Sequence, residues 1–443
     1  MDNDKVHERM RADWNQRADE DANYYVAFGR REQDDEEFFS TALDIVQGLI
    51  WDLKRVRGRD AALEIGCGPG RLMRPLSTYF QEIHGVDVSD EMVRLAQERL
   101  HNTLNAHLHR SSGSDLAMFP DEKFDFVYSY AVFQHIPSRD VVFSYLREAR
   151  RVLKTGGILR CQMNGLPPYA KQYDTWSGVR ITPEEITQFA REQDLQLLVV
   201  EQIWTQYMWI TCRKRPAGWS QAGSRVGSQA GLQTGQQPDR PPCLSRLKNI
   251  SNALTGEAVA PASGPLAALS LWIEDFPGEC DLNNTVVRAD GLACRLSYIG
   301  EPEHDGVCQV NVALPGGLRT GMVPVDVTWL GQPVCPTGWI RIMPPGPAVP
   351  RITTVTDGIN LLSGTRIVTG SVKVTMLEVT HPEEWSATVD GHGVLETEWF
   401  CADPISQRFE FNFRLTDRIG KGPHEVTVKL GRRQFPPLAI EVA

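Results

Sequence analysis

The sequence predicts an α/β domain with a doubly wound sheet, followed by two all-β sandwiches. Between about residues 61 and 213, short β-rich runs alternate with helical stretches, which is the pattern of a doubly wound sheet. From about residue 265 onward, apolar residues recur at every second position and helical periodicity disappears. Between these regions, 17 of the 28 residues from 216 to 243 are Gly, Ser, Gln or Pro, a composition typical of a linker.

Length, composition and charge narrow the class of protein. A chain of 443 residues with 41% hydrophobic and 23% charged residues suits about three globular domains. The net charge is -10, and the first fifty residues hold 13 acidic and 6 basic side chains, which argues against a nucleic-acid partner. We find no apolar run of about 18 residues and no secretory start, so we expect no membrane span and a cytoplasmic location.

The first domain is predicted over residues 1–215. Its start, from 5 to about 57, has helical character, and the β-rich runs AALEIG, EIHGVDV, FDFVYSY and GILRCQM follow. The runs LQLLVVEQIW and TQYMWITCRK are close enough to pair as an antiparallel hairpin, which we expect at the sheet edge. Since the hairpin precedes the linker, residues 1–215 are expected to fold without the rest of the chain.

The second half is predicted as a flexible linker over 216–264 and two sandwiches over 265–346 and 347–443. The stretch LSRLKNISNAL after the linker has apolar residues about three apart, which favours a short helix. The runs CQVNVALPGGL and GMVPVDVTWLGQPV alternate as strands, and the proline-rich GWIRIMPPGPAVPRI separates the two sandwiches near residue 346. Both pieces resemble immunoglobulin-like modules of bacterial multidomain proteins, of the IPT/TIG type.

The nine cysteines contain no Cys-x-x-Cys pair, so neither a zinc site nor a disulfide framework is indicated. Buried free thiols are the expected state. A disulfide among Cys280, Cys294, Cys308 and Cys335 stays open if the chain is exported. No metal is expected.

The motif with the clearest chemistry is AALEIGCGPGRL, where a strand ending near Glu64 leads into Gly66, Gly68 and Gly70. Such a turn lets the backbone approach a ligand closely. A nicotinamide fingerprint requires Gly-x-Gly-x-x-Gly, and Arg71 occupies the position of its third glycine. Seventeen residues after Gly70, Asp87 ends the next strand, where a carboxylate can accept hydrogen bonds from both hydroxyls of a ribose.

With these motifs, residues 40 to 213 resemble the class I S-adenosylmethionine-dependent methyltransferases, whose glycine and ribose motifs LEIGCGPG and GVDVS match. The resemblance implies a seven-stranded Rossmann-like sheet and S-adenosyl-L-methionine as cofactor. It extends to SDLAMFPDEKFDFVYSYAVFQHIP, where it implies that Asp115 binds the adenine amine and Leu116 contacts the ring through its backbone. Glu64 would organise the loop and the amino end of the cofactor. The implied cofactor-binding residues are Glu64, Gly66, Gly68, Gly70, Asp87, Val88, Asp115, Leu116 and Tyr130.

The reaction itself needs mainly alignment, because the sulfonium of this cofactor carries an activated methyl group. If the acceptor is a hydroxyl, a base must take its proton, and His135 lies where the acceptor would bind. The alternative is that His135 packs under the cofactor or caps the next helix. Tyr130, at the end of the same strand, is a second catalytic candidate.

Two other segments are candidate walls of the acceptor pocket. In similar methyltransferases the N-terminal segment folds over the cofactor as a lid, which here contains Trp14, Arg17, Tyr24 and Tyr25. Tyr24 and Tyr25 are catalytic candidates through their hydroxyls, and helix packing is the alternative. The insert NGLPPYAKQYDTWSGVR after the fifth strand offers a second wall with the side chains Tyr169, Tyr173, Trp176 and Arg180.

The predicted function is therefore S-adenosylmethionine-dependent methylation of a small-molecule or glycan acceptor, on oxygen or nitrogen. A different class remains open, namely a binding or scaffold protein that holds the cofactor while its sandwiches recognise a glycan or protein. A nicotinamide-dependent enzyme is disfavoured by the glycine spacing. Acceptor recruitment or self-association would suit the sandwiches.

Overall fold

The computed structural model describes residues 3–27, 31–168, 173–220, 245–346, 349–359, 364–403 and 407–443. The chain divides into two compact units, Met1–Ala22 with Phe39–Pro344, and Asn23–Phe38 with Pro345–Ala443. Among the described residues, no helix is long and apolar enough to span a membrane.

Helices are confined to the first half of the described chain, apart from short 3-10 turns. The ends of two helices show why they begin where they do: the Ser89 hydroxyl accepts from the Met92 N–H, and Thr182 and Glu185 form a capping box. The α-helices are α1 (Asn3–Ala27, with a non-helical Asp21), α2 (Asp35–Ser40), α3 (Leu43–Asp52), α4 (Met73–Leu76), α5 (Asp90–Arg99), α6 (Arg139–Val152) and α7 (Pro183–Glu192).

Seven strands of the α/β region form one sheet in the order β3-β2-β1-β4-β5-β7-β6. The first five run parallel, and β7 is antiparallel to both β5 and β6. The strand order and directions confirm the predicted Rossmann-like fold of this region, although its seven strands belong to a larger sheet of 11 described strands. The strands are β1 (Ala61–Ile65), β2 (Glu82–Asp87), β3 (Ala106–Arg110), β4 (Phe124–Ser129), β5 (Leu153–Met163), β6 (Leu195–Glu201) and β7 (Met208–Lys214).

A first β region follows within the same unit. Its strands are β8 (Arg246–Asn252), β9 (Val259–Pro261), β10 (Ala268–Glu274), β11 (Thr285–Ala289), β12 (Leu292–Ala293), β13 (Arg295–Ile299), β14 (Val307–Ala313), β15 (Gly321–Trp329), β16 (Gln332–Pro333) and β17 (Gly338–Met343). One sheet, β12-β11-β15-β17-β9 with β16, faces the strands β13-β14-β10-β8 across a shared apolar core.

The strands β13-β14-β10-β8 continue the sheet of the α/β region, because β13 pairs with β6 through Tyr298 and Val199. The predicted hairpin of β6 and β7 is confirmed, but its placement at the sheet edge was wrong. Leu198 and Val199 of β6 belong to the same core as the strands of the first β region.

A second β region lies in the second unit. Its two sheets, β18-β20-β24-β23 and β19-β27-β25-β21-β22 with β26, share an apolar core whose described residues all come from that region. The strands are β18 (Arg351–Asp357), β19 (Arg366–Ile367), β20 (Ser371–Leu377), β21 (Trp385–Val389), β22 (His392–Gly393), β23 (Leu395–Asp403), β24 (Arg408–Arg414), β25 (Gly422–Leu430), β26 (Arg433–Gln434) and β27 (Leu438–Val442).

Two further expectations from the sequence meet the structure here. The short helix expected after Leu244 was wrong, because Arg246–Asn252 is strand β8, paired antiparallel with β10. Hence part of the range predicted as linker, from residue 245 onward, is regular structure, while 221–244 lies outside the described residues. Each described cysteine is a free thiol, including Cys280, Cys294, Cys308 and Cys335.

Candidate active site

The glycine turn follows β1 directly. Gly66, Gly68 and Gly70 have φ of 73°, 50° and 84°, in the left-handed region that favours glycine. The N–H groups of Gly66 and Cys67 donate to the Val86 carbonyl at 2.8 and 3.0 Å, which fixes the turn against the end of β2. The three predicted glycines are thus brought to the carboxyl end of the sheet, where open α/β folds bind ligands.

Asp87 ends β2 beside this turn, as the sequence predicts. One carboxylate oxygen accepts the Gly68 N–H and the other accepts the Ser89 N–H, each at 2.9 Å. Burial raises the pKa of Asp87, and the backbone N–H groups oppose that shift. The side chain is half-buried, and a carboxylate has lone pairs left for further donors such as ribose hydroxyls.

Glu64 lies beneath the turn and is 3% exposed. The Tyr128 hydroxyl donates to its carboxylate at 3.0 Å. Burial raises the pKa of Glu64 to about 8, while Tyr128 and the Arg71 guanidinium lower it and Asp87 raises it further. Glu64 therefore anchors the floor of the site as a buried acid.

The predicted adenine contacts fall in two different surroundings. Asp115 accepts the Ser112 hydroxyl at 2.6 Å and the Ala117 N–H at 3.0 Å, so it organises its own turn. The Leu116 N–H donates to Glu148 at 3.0 Å, and the Leu116 side chain is fully buried in the core. The Leu116 N–H is therefore engaged within the protein, which does not favour its predicted contact to the ring. Val88 is half-buried after Asp87 and packs against the same core.

The first part of α1, within residues 3–22, lies over the loop between β2 and α5. Asn15 accepts the Ser89 hydroxyl at 2.7 Å and the Glu91 N–H at 3.3 Å. Arg11 pairs with Asp90 at 2.6 Å. This segment contacts the residues next to Asp87 through Asn15 and Arg11, which sequence reasoning did not single out, and its role as a lid stays a prediction.

His135 is the end of a directed chain of hydrogen bonds. The Ala131 N–H donates to Gln162, the Gln162 amide donates to Gln134 at 2.9 Å, and the Gln134 amide meets His135 Nε2 at 3.1 Å. His135 Nδ1 donates to the Trp176 carbonyl at 2.9 Å. Burial is the largest cause that lowers the pKa of His135, to about 4. A neutral imidazole with both nitrogens engaged fits the packing alternative better than a base.

An aromatic wall forms around His135. The rings of Trp14 and Trp176 lie 5.4 and 5.9 Å from its ring, and the Arg17 guanidinium lies 4.7 Å from the Trp14 ring and 5.4 Å from the Trp176 ring. Arg17 also donates to the carbonyl and hydroxyl of Thr175, both at 3.1 Å. The N-terminal segment and the insert after β5, predicted separately as walls, are therefore brought together.

The remaining predicted residues are placed as follows. Tyr130 is half-buried at the end of β4, stacked on Trp209 at 5.7 Å, with the Arg71 guanidinium 5.8 Å from its ring. Tyr24 and Tyr25 contact each other edge to face at 5.2 Å and belong to the second unit, so their role as lid residues stays a prediction. Tyr173 packs against the core, Trp176 is 43% exposed, and Arg180 donates to the Pro167 carbonyl. Tyr169 lies outside the described residues.

Sequence reasoning missed Gln134 and Gln162, which form the hydrogen-bond chain to His135, and it also missed Asn15. Their signal is weak, because an isolated amide carries no spacing pattern, and only folding places Gln162 next to Gln134. Gln162 is fully buried, which is uncommon for glutamine and marks it in retrospect as a structural connector.

Comparisons with known proteins find similar methyltransferases for part of this chain. Residues 63–161 match the family model of a methyltransferase domain. Phosphoethanolamine N-methyltransferase 2 of Caenorhabditis elegans is 36% identical over 114 residues, 25% of each chain. Trans-aconitate 2-methyltransferase of Agrobacterium fabrum is 36% identical over 103 residues, 23% of this chain and 37% of its own. The chain thus spans about a quarter to two fifths of the length of these relatives.

Solved structures with a similar fold include the YcgJ protein of Bacillus subtilis, with 23% identity, a TM-score of 0.30, and coverage of 35% of this chain and 69% of that one. PH0226 of Pyrococcus horikoshii has 18% identity, a TM-score of 0.35, and coverage of 43% and 98%. The family match supports a methyltransferase domain at residues 63–161, a minority of the chain. The cofactor of this domain is S-adenosylmethionine.

Proposed function

We propose that the protein is an S-adenosylmethionine-dependent methyltransferase acting on a small-molecule acceptor, at oxygen or nitrogen. The observation that carries the proposal is the half-buried Asp87 carboxylate, held by the N–H groups of Gly68 and Ser89 next to the glycine turn. This donor and acceptor set fits a ribose, whose two hydroxyls can both donate to one carboxylate. When bound, the cofactor supplies the activated methyl group.

The chain's own contribution is positioning and exclusion of water. Asn15 and Arg11 hold the first part of α1 over the loop that follows Asp87. In this proposal that part of α1 covers the cofactor as a lid. The wall of Trp14, His135 and Trp176 offers apolar surface beside the Arg17 guanidinium. Such a wall suits a small acceptor that carries both apolar and polar groups.

No proton transfer is assigned to His135 in this proposal, because its Nε2 meets the Gln134 amide and its Nδ1 donates to Trp176. Tyr130, next to the glycine turn's Arg71, is the residue we propose for orienting the acceptor. Proximity and orientation supply most of the rate when the donor is already activated.

Phosphoethanolamine and trans-aconitate, which appear in the names of the relatives, are the first acceptors to assay. We further propose that the two β regions are immunoglobulin-like modules that recruit the acceptor, and that the protein acts in the cytoplasm. Their two-sheet cores support that architecture.

The test begins with the cofactor. Asp87→Ala should weaken binding of S-adenosylhomocysteine by about 1.5 to 3 kcal/mol in titration calorimetry, since a hydrogen bond to a charged group is lost. Asp115→Ala is the matched control and should weaken binding less, because Asp115 already caps its own turn. Equal affinity of Asp87→Ala and the wild type would contradict the ribose assignment.

The second arm tests catalysis. Wild-type protein with cofactor labelled on the methyl group should label one product in an extract, which mass spectrometry identifies. Tyr130→Phe should lower turnover while leaving affinity for S-adenosylhomocysteine within twofold. Cofactor binding without any methylated product would favour the cofactor-holding scaffold over the enzyme.

A further inference from the structure

A cluster of histidines lies on the edge strand β3 and its neighbour β2, away from the proposed active site. His84 of β2 pairs across the sheet with His107 of β3, and His109 follows two residues later on the same face. Glu82 begins β2. The ligand atoms of Glu82, His84 and His107 all lie within 4.8 Å of one another.

This cluster is separate from the cofactor turn. His84 lies three residues before Asp87 on β2, about 10 Å along the strand, and Glu82 lies about 16 Å away. Because side chains alternate along a strand, Glu82 and His84 are on the opposite face of β2 from Asp87. A ligand held at the cluster would therefore not compete directly with the nucleoside.

The hydrogen bonds of His84 orient it as a metal ligand. Its Nε2 lies 3.1 Å from Glu82 Oε2, and its Nδ1 lies 3.1 Å from His109 Nε2. As the contacts stand, His84 Nε2–H donates to the Glu82 carboxylate and Nδ1 accepts from His109. A metal ion that replaced the Nε2 proton would lie between His84 and Glu82, and Nδ1–H would then donate to His109. Metal-binding histidines are commonly held by a hydrogen bond from the second ring nitrogen in this way.

The surroundings of His84 keep its ring in place. Its ring meets the edges or faces of Phe119 and Phe124, each at 5.4 Å between centroids, and lies 4.8 Å from the ring of His107. His84 is buried, while Glu82 is exposed and can adjust. One fixed ligand and two adjustable ones suffice to assemble a site from a loose cluster.

We propose that Glu82, His84 and His107 form a zinc site that joins β2 to β3, with His109 as the positioning residue of His84. Two imidazoles and one carboxylate are a ligand set that zinc uses, with a fourth position left for water. In a tetrahedral site, ligand atoms about 2.1 Å from zinc lie about 3.4 Å apart, so the widest pair of the cluster must close by up to about 1.4 Å.

Lys123 provides a specific competitor. Its ammonium lies 3.5 Å from Glu82 Oε2 and would be displaced from that carboxylate by a divalent cation. Removing the Lys123 ammonium should therefore strengthen zinc binding. A purely structural histidine cluster gives no reason for such an effect.

The experiment uses the untagged full chain and a chromophoric chelator that competes for zinc. We expect one zinc per chain, and an affinity that falls at least about tenfold in both His107→Gln and Glu82→Gln. Lys123→Gln should bind zinc more tightly than the wild type. His101→Gln, an exposed histidine in the turn before β3, is the control and should bind as the wild type does.

A second measurement guards against variants that fold poorly. Zinc should raise the melting temperature of the wild type and of His101→Gln, but not that of His107→Gln, while all three bind S-adenosylhomocysteine equally. The proposal is overturned if the wild type binds no zinc, or if His107→Gln and His101→Gln lose affinity to the same extent. The result does not depend on methyl transfer, so the two proposals fail separately.

Discussion

The two β regions of this chain look alike in sequence but differ in how they are built into the molecule. The first, from Arg246 to Met343, continues the sheet of the methyltransferase domain through the pairing of Tyr298 with Val199. The second, from Arg351 to Val442, encloses an apolar core that, among the described residues, comes from this region alone. The alternating sequence pattern therefore identifies β-rich regions without telling an integral region from a self-contained one.

The junction of the first region also contains buried charge. The Arg55 and Arg213 side chains are 3% and 7% exposed, and both pair with Glu301, which precedes β14. The Arg55 guanidinium lies 5.1 Å from the Tyr298 ring. Gln196 donates to the carbonyls of Gly278 and Cys280, both at 2.8 Å. Apolar, ionic and backbone contacts all join the first β region to the α/β sheet.

The largest expected effect is that of cutting at the linker. The sequence predicts that residues 1–215 fold alone, but this fragment would expose Leu198, Val199 and an unpaired β6. Because burying each such side chain contributes about 1.5 to 3 kcal/mol, fragment 1–215 should be at least about 3 kcal/mol less stable than fragment 1–344. Urea denaturation of both fragments measures this. Equal stability and equal affinity for S-adenosylhomocysteine would show that the junction is dispensable.

Breaking the ionic junction should have the next largest effect. Glu301→Gln leaves Arg213 and Arg55 without their shared carboxylate, although Arg55 keeps Asp52 at 3.5 Å. We expect a loss of about 3 kcal/mol in the free energy of unfolding of the first unit, since a buried charge loses its partner. Glu303→Gln, exposed two residues later, is the control and should change stability by under about 0.5 kcal/mol. A loss equal to that control would refute the role of Glu301.

A matched pair of valines separates the two β regions. Val310 of β14 and Val374 of β20 are both fully buried, and replacing either by Ala should cost about 2 kcal/mol locally. Calorimetry should show one unfolding transition that S-adenosylhomocysteine stabilises. Only Val310→Ala should lower the midpoint temperature of that transition. If Val374→Ala lowered that transition equally, the second region would not be energetically self-contained.

The smallest expected effect, taken per pH unit, is a pH dependence. Burial raises the pKa of Glu64 in the folded state to about 8, from 4.5. Between these values the folded protein holds a proton that the unfolded chain has lost, so stability should fall as pH rises from about 5 to 8. The slope from this group is at most about 1.4 kcal/mol per pH unit. Glu64→Gln should flatten it in the cofactor-free protein; an unchanged slope would assign the effect to other groups.

Much of the α/β fold could be predicted from the sequence because its signals are local. Gly66, Gly68 and Gly70 need positive φ, and Asp87 ends a strand that the alternation of β and α already places beside them. The same local reasoning gave the wrong helix at Arg246–Asn252, where apolar residues three apart belong to a strand. The partner β10, which decides that outcome, is distant in sequence.

The sequence by itself determined the methyltransferase domain, its cofactor turn and the division into α/β and β-rich halves, because these depend on the chemistry of neighbouring residues. Only the tertiary structure decided that β6 is an inner strand rather than an edge, and that Glu301 pairs with two arginines of the α/β region. It also linked Gln162 to His135 through Gln134, and it brought Glu82, His84 and His107 together. Each of these depends on long-range pairing, in which residues far apart in the chain meet only when a sheet or core is complete.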